Sequence, residues 1–305
     1  MKSLVTDLKS LELETLKNLK NSKADNTLRA YESDFRDFAT FCKSNGFSSL
    51  PSEPKILALY LTHLSANSKY STLKRRLASI SVIHKLKGHY IDTKHPLIIE
   101  NLLGIKRRKG SNQKSKKPIL ISDLKLIIKA IDQSKIKYLK KLRNKALVLI
   151  GFSGGFRRSE LVAIEHEDIE FVSEGIKIYV KRSKTDQSGE GMIKAIPYFD
   201  NEEFCPVTNL KNWINQGNIE SGKIFNISDK NVALIIKKYA GFAGLDHNKY
   251  SGHSLRSGFA TSTAESGAEE RSIMSMTGHK TTQMVRRYIK EANLFKNNAL
   301  NKLKI

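Results

Sequence analysis

The sequence has 305 residues and a formal net charge of +23, from 53 Lys plus Arg against 30 Asp plus Glu. That length is about twice an average domain, which excludes a mini-protein and favours two domains. With 39% apolar residues the chain is not disordered throughout, and a surface this basic is drawn to polyanions. Cys42 and Cys205 stand far apart and give no disulfide framework, which fits a reducing compartment. No apolar run reaches about 18 residues and no signal-like start is present, so neither membrane spanning nor secretion is expected.

In chain order, Leu28, Tyr31, Phe35, Phe38 and Cys42 recur at spacings of three and four after Asp25, Asn26 and Thr27, which can cap a helix. Ser52-Glu53-Pro54 opens a second helix carrying Ile56, Leu57, Tyr60, Leu61 and Leu64, since proline suits a first helical turn. A third runs through Leu73, Leu77, Ile80 and His84, and its opening turn carries Lys74, Arg75 and Arg76, side chains suited to phosphate contact. The aromatic stripes read as core. Residues 1–105 are therefore expected to form a basic, helical N-terminal domain.

Residues 106–118 hold seven basic and no acidic side chains, lack apolar residues and contain Gly, Ser and Pro, the composition of an exposed linker. The domain boundary is placed there. An isolated run of this kind is a solvated hinge; between two basic domains, Lys106, Arg107 and Arg108 can cross a phosphate backbone.

Over residues 119–305, Leu139, Leu142, Ala146 and Leu149 predict a helix leading to the Gly-rich turn Gly151-Phe-Ser-Gly-Gly155, and Ser159 to Ile164 begins another. The period then becomes two: Ile176, Ile178 and Val180 alternate with polar residues, Lys184 to Gly191 is turn-rich, and Met192 to Pro197 reads as the returning strand. Helical spacing resumes over 209–215, 229–240, 253–266 and 282–292. The expected fold class is mainly α with a small antiparallel β-sheet, in two domains.

Cleavage of a phosphodiester by a protein nucleophile needs that nucleophile, a proton for the leaving oxygen and fixed positive charge around the phosphorus. Tyr288 could be the first, although its spacing from Met284 and Ala292 also suits a core tyrosine. His253 and Arg256 are three apart, which on a helix puts them on one face, and Arg157 precedes Glu160 by three, so the carboxylate can orient the guanidinium or form an ordinary ion pair. Each signal is weak singly.

Together and in this order, Gly-Gly-Phe-Arg157-Arg-Ser-Glu-Leu161, Lys184 in a strand-flanked turn, Tyr-Ser-Gly-His253-Ser-Leu-Arg256, Thr-Gly-His279 and Tyr288 resemble the tyrosine recombinase (phage integrase) family over residues 25–300. Within it, Tyr179 to Thr185 and the two-part layout are most similar to Cre recombinase, which carries tryptophan where His279 stands. The resemblance implies a helical core-binding domain and an α+β catalytic domain that cleave and rejoin DNA at a specific site. It implies that Arg157 and Arg256 clamp the scissile phosphate, Lys184 protonates the 5′ oxygen, His253 takes the phenol proton, His279 hydrogen-bonds the phosphate and Tyr288 forms a 3′-phosphotyrosyl bond. Glu160 would support Arg157. No metal, cofactor or ATP is implied, and the other histidines show no zinc spacing with either cysteine. The implied partners are double-stranded DNA and three further copies, forming a homotetramer on two duplexes in the cytoplasm, at the nucleoid. Arg158, Arg286 and Arg287 read as DNA backbone contacts or solvated charges. Leu294, Ala299, Leu300 and Leu303 suggest a short amphipathic tail helix, docked on its own domain or, as in relatives, on a neighbouring subunit.

Two other enzymes fit parts of this pattern. A type IB topoisomerase uses a similar tyrosine and similar arginines to relax DNA. Gly151-Phe-Ser153-Gly-Gly155 also matches the nucleophile elbow of a serine hydrolase if Ala146 to Ile150 is a strand, but the alternating βαβ pattern is missing.

Overall fold

The computed structural model describes residues 8–21, 25–110, 115–181, 190–292 and 299–303. The chain divides into two compact units, Met1–Lys114 and Ser115–Ile305.

Among the described residues the regular elements of the first unit are all helices: α1 (Leu8–Asn21), α2 (Asp25–Ser44), α3 (Pro54–Ser65), α4 (Tyr70–Leu86) and α5 (Pro96–Lys109). Its core is built from one stripe of each of the last four, with Phe38 and Cys42 of α2 against Leu57, Tyr60 and Leu61 of α3, Leu73 and Ile80 of α4, and Ile98, Leu102 and Ile105 of α5. The Phe38 and Tyr60 rings meet edge-on with centroids 5.0 Å apart, the favoured arrangement of aromatic quadrupoles. His84, fully buried, bridges α4 to the loop between α2 and α3: Ser52 N–H donates to Nε2 at 3.2 Å, and Nδ1 lies 2.9 Å from the Ile80 carbonyl oxygen. Burial holds its pKa below the ordinary histidine value.

Part of the expected 106–118 linker is helical. Helix α5 continues to Lys109 because Leu102 and Ile105 still face the core, and Lys106, Arg107, Arg108 and Lys109 then occupy its last turn, where the helix dipole favours cations. Gly110, at φ 71°, ends it. Residues 111–114 lie outside the described set, and the remainder is tied to the second unit: Lys117 N–H donates to the Lys249 carbonyl oxygen at 2.7 Å, and Ile119 N–H to that of Ser254 at 2.9 Å.

The second unit contains α6 (Ile121–Gln133), α7 (Tyr138–Ser153), α8 (Arg158–Ala163), the strands β1 (Ile169–Val172), β2 (Gly175–Val180) and β3 (Met192–Pro197), then α9 (Pro206–Gln216), α10 (Asp229–Phe242), α11 (His253–Glu265), α12 (Glu270–Thr277) and α13 (Thr282–Ala292). The strands form an antiparallel sheet in the order β1-β2-β3, with Ile178 opposite both Ile169 and Lys194. Helix α7 is the spine of the core and is buried from Ala146 through Ser153.

The helical conformation of residues 146–153 overturns the strand and nucleophile elbow required by the hydrolase reading, because Ser153 ends a helix rather than a strand. The Gly-rich turn also begins later than its sequence suggests. Gly151 belongs to the helix, where a Cβ would lie 2.8 Å from Leu255 Cδ1 and 2.9 Å from Leu161 Cδ2, so glycine permits a close approach of α8 and α11. Of the expected tail helix, residues 293–298 lie outside the described set; Ala299–Lys302 form a 3-10 turn with Leu300 and Leu303 exposed. None of the described helices is long and apolar enough to cross a membrane.

Candidate active site

Arg157 stands at the N-cap of α8 in extended conformation. Glu160, in the first turn of that helix and 4% exposed, accepts from the Arg157 main-chain N–H at 2.9 Å and from its Nη1 at 2.6 Å. One carboxylate therefore caps the helix and orients the guanidinium. Arg157 Nη2 also reaches the Gly278 carbonyl oxygen at 3.5 Å.

Arg256 projects from α11 and is 1% exposed. Its Nη1 donates to the Gly155 carbonyl oxygen at 2.8 Å, whereas Nη2 is buried without a hydrogen-bond partner among the described residues. Burial lowers its pKa to about 10 and nearby Arg157 acts in the same direction, so it stays charged at neutral pH. A buried guanidinium with an unspent donor fits an anion, and phosphate matches its fork.

His253 opens α11 and keeps an accessible edge, but the crowding of surrounding protein pulls its pKa down, and Arg256, Arg157 and Arg158 reinforce this. Its Nε2 lies 3.5 Å from the Tyr288 hydroxyl, at the outer limit of a hydrogen bond. Such pairs are often long before substrate binds. Tyr288, half-buried on α13, packs against the small cluster of Ala260, Ala264, Ile273 and Val285, so it is both a core tyrosine and a site tyrosine.

His279 follows Gly278, whose φ of 62° places it in the left-handed region and turns the chain out of α12. The imidazole is buried with Nδ1 2.8 Å from Thr277 Oγ1, and its centroid lies 6.2 Å from the Tyr288 ring. Burial, then the charges of Arg256 and Arg157, lower its pKa to about 4, so it is neutral at pH 7.

The structure thus brings Arg157, Glu160, His253, Arg256, His279 and Tyr288 into one site. Lys184 lies outside the described residues. The strand leading to it is anchored by Lys181, which reaches Glu165 at 2.6 Å and Asp168 at 2.8 Å; these two hydrogen bonds raise its pKa, that to Asp168 most. Lys194, absent from the sequence reading, is buried nearby on β3. Arg158 lies 3.8 Å from Asp229, Arg286 pairs with Glu270 at 3.2 Å, and Arg287 is exposed.

The residues expected to touch DNA from the first unit are divided. Lys74, Lys106 and Arg107 are exposed, as is Arg108, which also reaches Ser65 Oγ at 3.4 Å. Arg75 and Arg76 instead pair with Asp34, a carboxylate only 3% exposed, and Arg76 also donates to Asp37 at 2.7 Å and to the Tyr60 hydroxyl at 3.0 Å. Two of the cations on α4 therefore neutralise a buried acid between helices, while Lys74 and the outer edge of Arg75 stay exposed.

Residues 120–294 match the model of the phage integrase family. An integrase/recombinase described as a xerD homolog from Selenomonas ruminantium is 42% identical over 308 residues, covering 96% of this chain and 89% of that protein. Tyrosine recombinase XerD of Bradyrhizobium diazoefficiens is 27% identical, covering 87% of each. Among solved structures, XerH site-specific recombinase bound to palindromic difH substrate matches with a TM-score of 0.62 at 18% identity, over 81% of this chain and 73% of that one. A lambda integrase dimer bound to a COC′ core site matches with a TM-score of 0.58 at 19% identity, over 99% and 100%. By these relationships the chain is a member of the phage integrase family, the tyrosine-type site-specific DNA recombinases.

Proposed function

We propose that the protein cleaves and rejoins DNA at a specific site through a covalent 3′-phosphotyrosyl intermediate. The observation that carries this reading is the buried Arg256 guanidinium, whose Nη2 is unpartnered among the described residues beside Arg157, His279 and the Tyr288–His253 pair. The Tyr288 oxygen attacks phosphorus as His253 takes its proton; the bond to the 5′ oxygen breaks, and Lys184 supplies that oxygen with a proton. Arg157 and Arg256 neutralise the nonbridging oxygens, supplying the positive charge that the transition state needs. The phosphotyrosyl bond conserves the diester energy, so a 5′ hydroxyl from a partner strand reverses the step without ATP.

In this reading residues 1–105, the basic 106–118 segment and residues 119–305 grip duplex DNA together, and a homotetramer holds two duplexes at the nucleoid. Strand exchange between two sites, rather than relaxation of supercoils alone, is the expected product. On a nicked suicide duplex, Tyr288→Phe is expected to bind with unchanged affinity and to form no covalent complex. Adduct formation by that variant would remove Tyr288 from the role.

A further inference from the structure

Lys194 points inward from β3 and is 0% exposed. Its Nζ donates to the Gly154 carbonyl oxygen at 2.8 Å and to that of Met276, and it sits 4.8 Å from the centre of the Phe156 ring. Both carbonyls have a place in the site. Gly154 lies three residues before Arg157, and the adjoining Gly155 carbonyl holds Arg256. Met276 lies three residues before His279, and the intervening Gly278 carbonyl accepts from Arg157. One ammonium group thus ties to a single strand the two backbone corners that carry or seat both arginines and His279.

The charged and titratable groups around it are Glu160 from α8, Arg157 before that helix, Arg256 from α11 and His279 after α12. Burial lowers the Lys194 pKa to about 7; Glu160 opposes that shift, whereas Arg256 and Arg157 add to it. Two carbonyls and an aromatic face are what an ammonium needs in such a place. The two carbonyls take two of the three N–H donors, and the Phe156 ring lies beside the group.

We propose that Lys194 is a positioning residue for strand cleavage: by fastening the Gly154 and Met276 carbonyls to β3, it sets the gap between the arginine pair and His279 that the scissile phosphate fills. This rests on the phosphotyrosyl reading above.

The test uses the full chain and a suicide duplex carrying the sequence recovered by covalent capture on genomic DNA, in three forms. One has the natural phosphate, one a methylphosphonate that replaces a charged nonbridging oxygen, and one a sulfur at the 5′ bridging position. Lys194→Met is expected to slow adduct formation on phosphate about 100-fold, the scale of a small misplacement, with DNA affinity unchanged. On methylphosphonate, where less charge needs clamping, the deficit should shrink to about tenfold or less. Bridging sulfur should give no rescue.

An equal deficit on all three substrates, no deficit at all, or rescue by bridging sulfur overturns the proposal. If Lys194→Met fails to fold, Lys194→Arg decides. It keeps a cation with several donors and should retain at least about a tenth of the wild-type rate on phosphate, with the wild-type ratio between phosphate and methylphosphonate. A larger loss, equal on both substrates, counts against it. If the wild-type chain itself forms no adduct at Tyr288 on the natural substrate, the failure belongs to the phosphotyrosyl reading.

Discussion

The hydroxyl of Thr277 lies 2.8 Å from Nδ1 of His279 and 2.6 Å from the Ile273 carbonyl oxygen, and it has one proton to give. Donated to Ile273, that proton leaves the hydroxyl accepting from Nδ1–H, so Nε2 presents a lone pair. Donated to Nδ1, it leaves Nε2–H free to bond a phosphate oxygen. Thr277→Val keeps the shape of the side chain and removes this choice, and is expected to slow adduct formation about tenfold with DNA affinity unchanged, as is usual for a lost orienting partner. Nitrogen-15 shifts of the His279 ring, with and without DNA, report the tautomer directly. An unchanged rate and an unchanged tautomer in Thr277→Val would show that the hydroxyl has no such role.

His279 also makes stability depend on pH with a definite sign. Its folded pKa, about 4, lies below the unfolded histidine value of about 6.5, so between these limits the unfolded chain binds more protons. Stability is highest above the upper limit and falls as pH drops toward the lower, by up to about 3 kcal/mol from this group. His279→Phe should flatten that part of the curve. Denaturant melts at several pH values check it, and an unaltered slope in His279→Phe would contradict it.

Glu160 accepts from two donors of Arg157 and is the acid that opposes the lowering of the Arg256 and Lys194 pKa values. Glu160→Gln keeps the shape and loses the charge. Adduct formation should fall about 10- to 100-fold, and stability by about 1–3 kcal/mol as the arginine loses a buried partner. Single-turnover cleavage and chemical denaturation measure the two effects; wild-type cleavage by Glu160→Gln would show that Arg157 is oriented without it.

In the first unit, Asp34 is set between Arg75, Arg76 and the Ser79 hydroxyl, which donates to it at 2.7 Å. Asp34→Asn should destabilise this unit by about 2 kcal/mol, because two cations lose a buried counter-charge but can still reach water. Hydrogen exchange of α2 and α4 amides reads that loss locally. Protection equal to wild type would mean that the cluster contributes nothing to the packing of these helices.

The site was legible in the sequence wherever its geometry is local. Arg157 with Glu160, across the start of α8, and His253 with Arg256, on α11, stand three apart, and their order along the chain completed the family pattern. Helices α2 to α4 were legible because each buries a single stripe. Strand β1 was missed because it buries no residue and does not alternate, and the buried length of α7 hid its end, since Gly151 reads as a turn residue until the helices against it are known. Lys194 was hidden for a related reason. By strand alternation it could face either side, and charge argues for water; Ile193 is instead 65% exposed and Lys194 faces inward because two carbonyls far off in sequence await it. Arg75 and Arg76 make a contact that a basic helical turn does not announce, because Asp34, which lies between them, stands some forty residues earlier.

The central claim is tested most directly by trapping the protein on DNA, digesting the complex and sequencing the adducted peptide by mass spectrometry. The account predicts a nucleotide joined through its 3′ phosphate to the oxygen of Tyr288, in a peptide absent from the Tyr288→Phe digest. A 5′ phosphate linkage, or attachment at any other side chain, would contradict it.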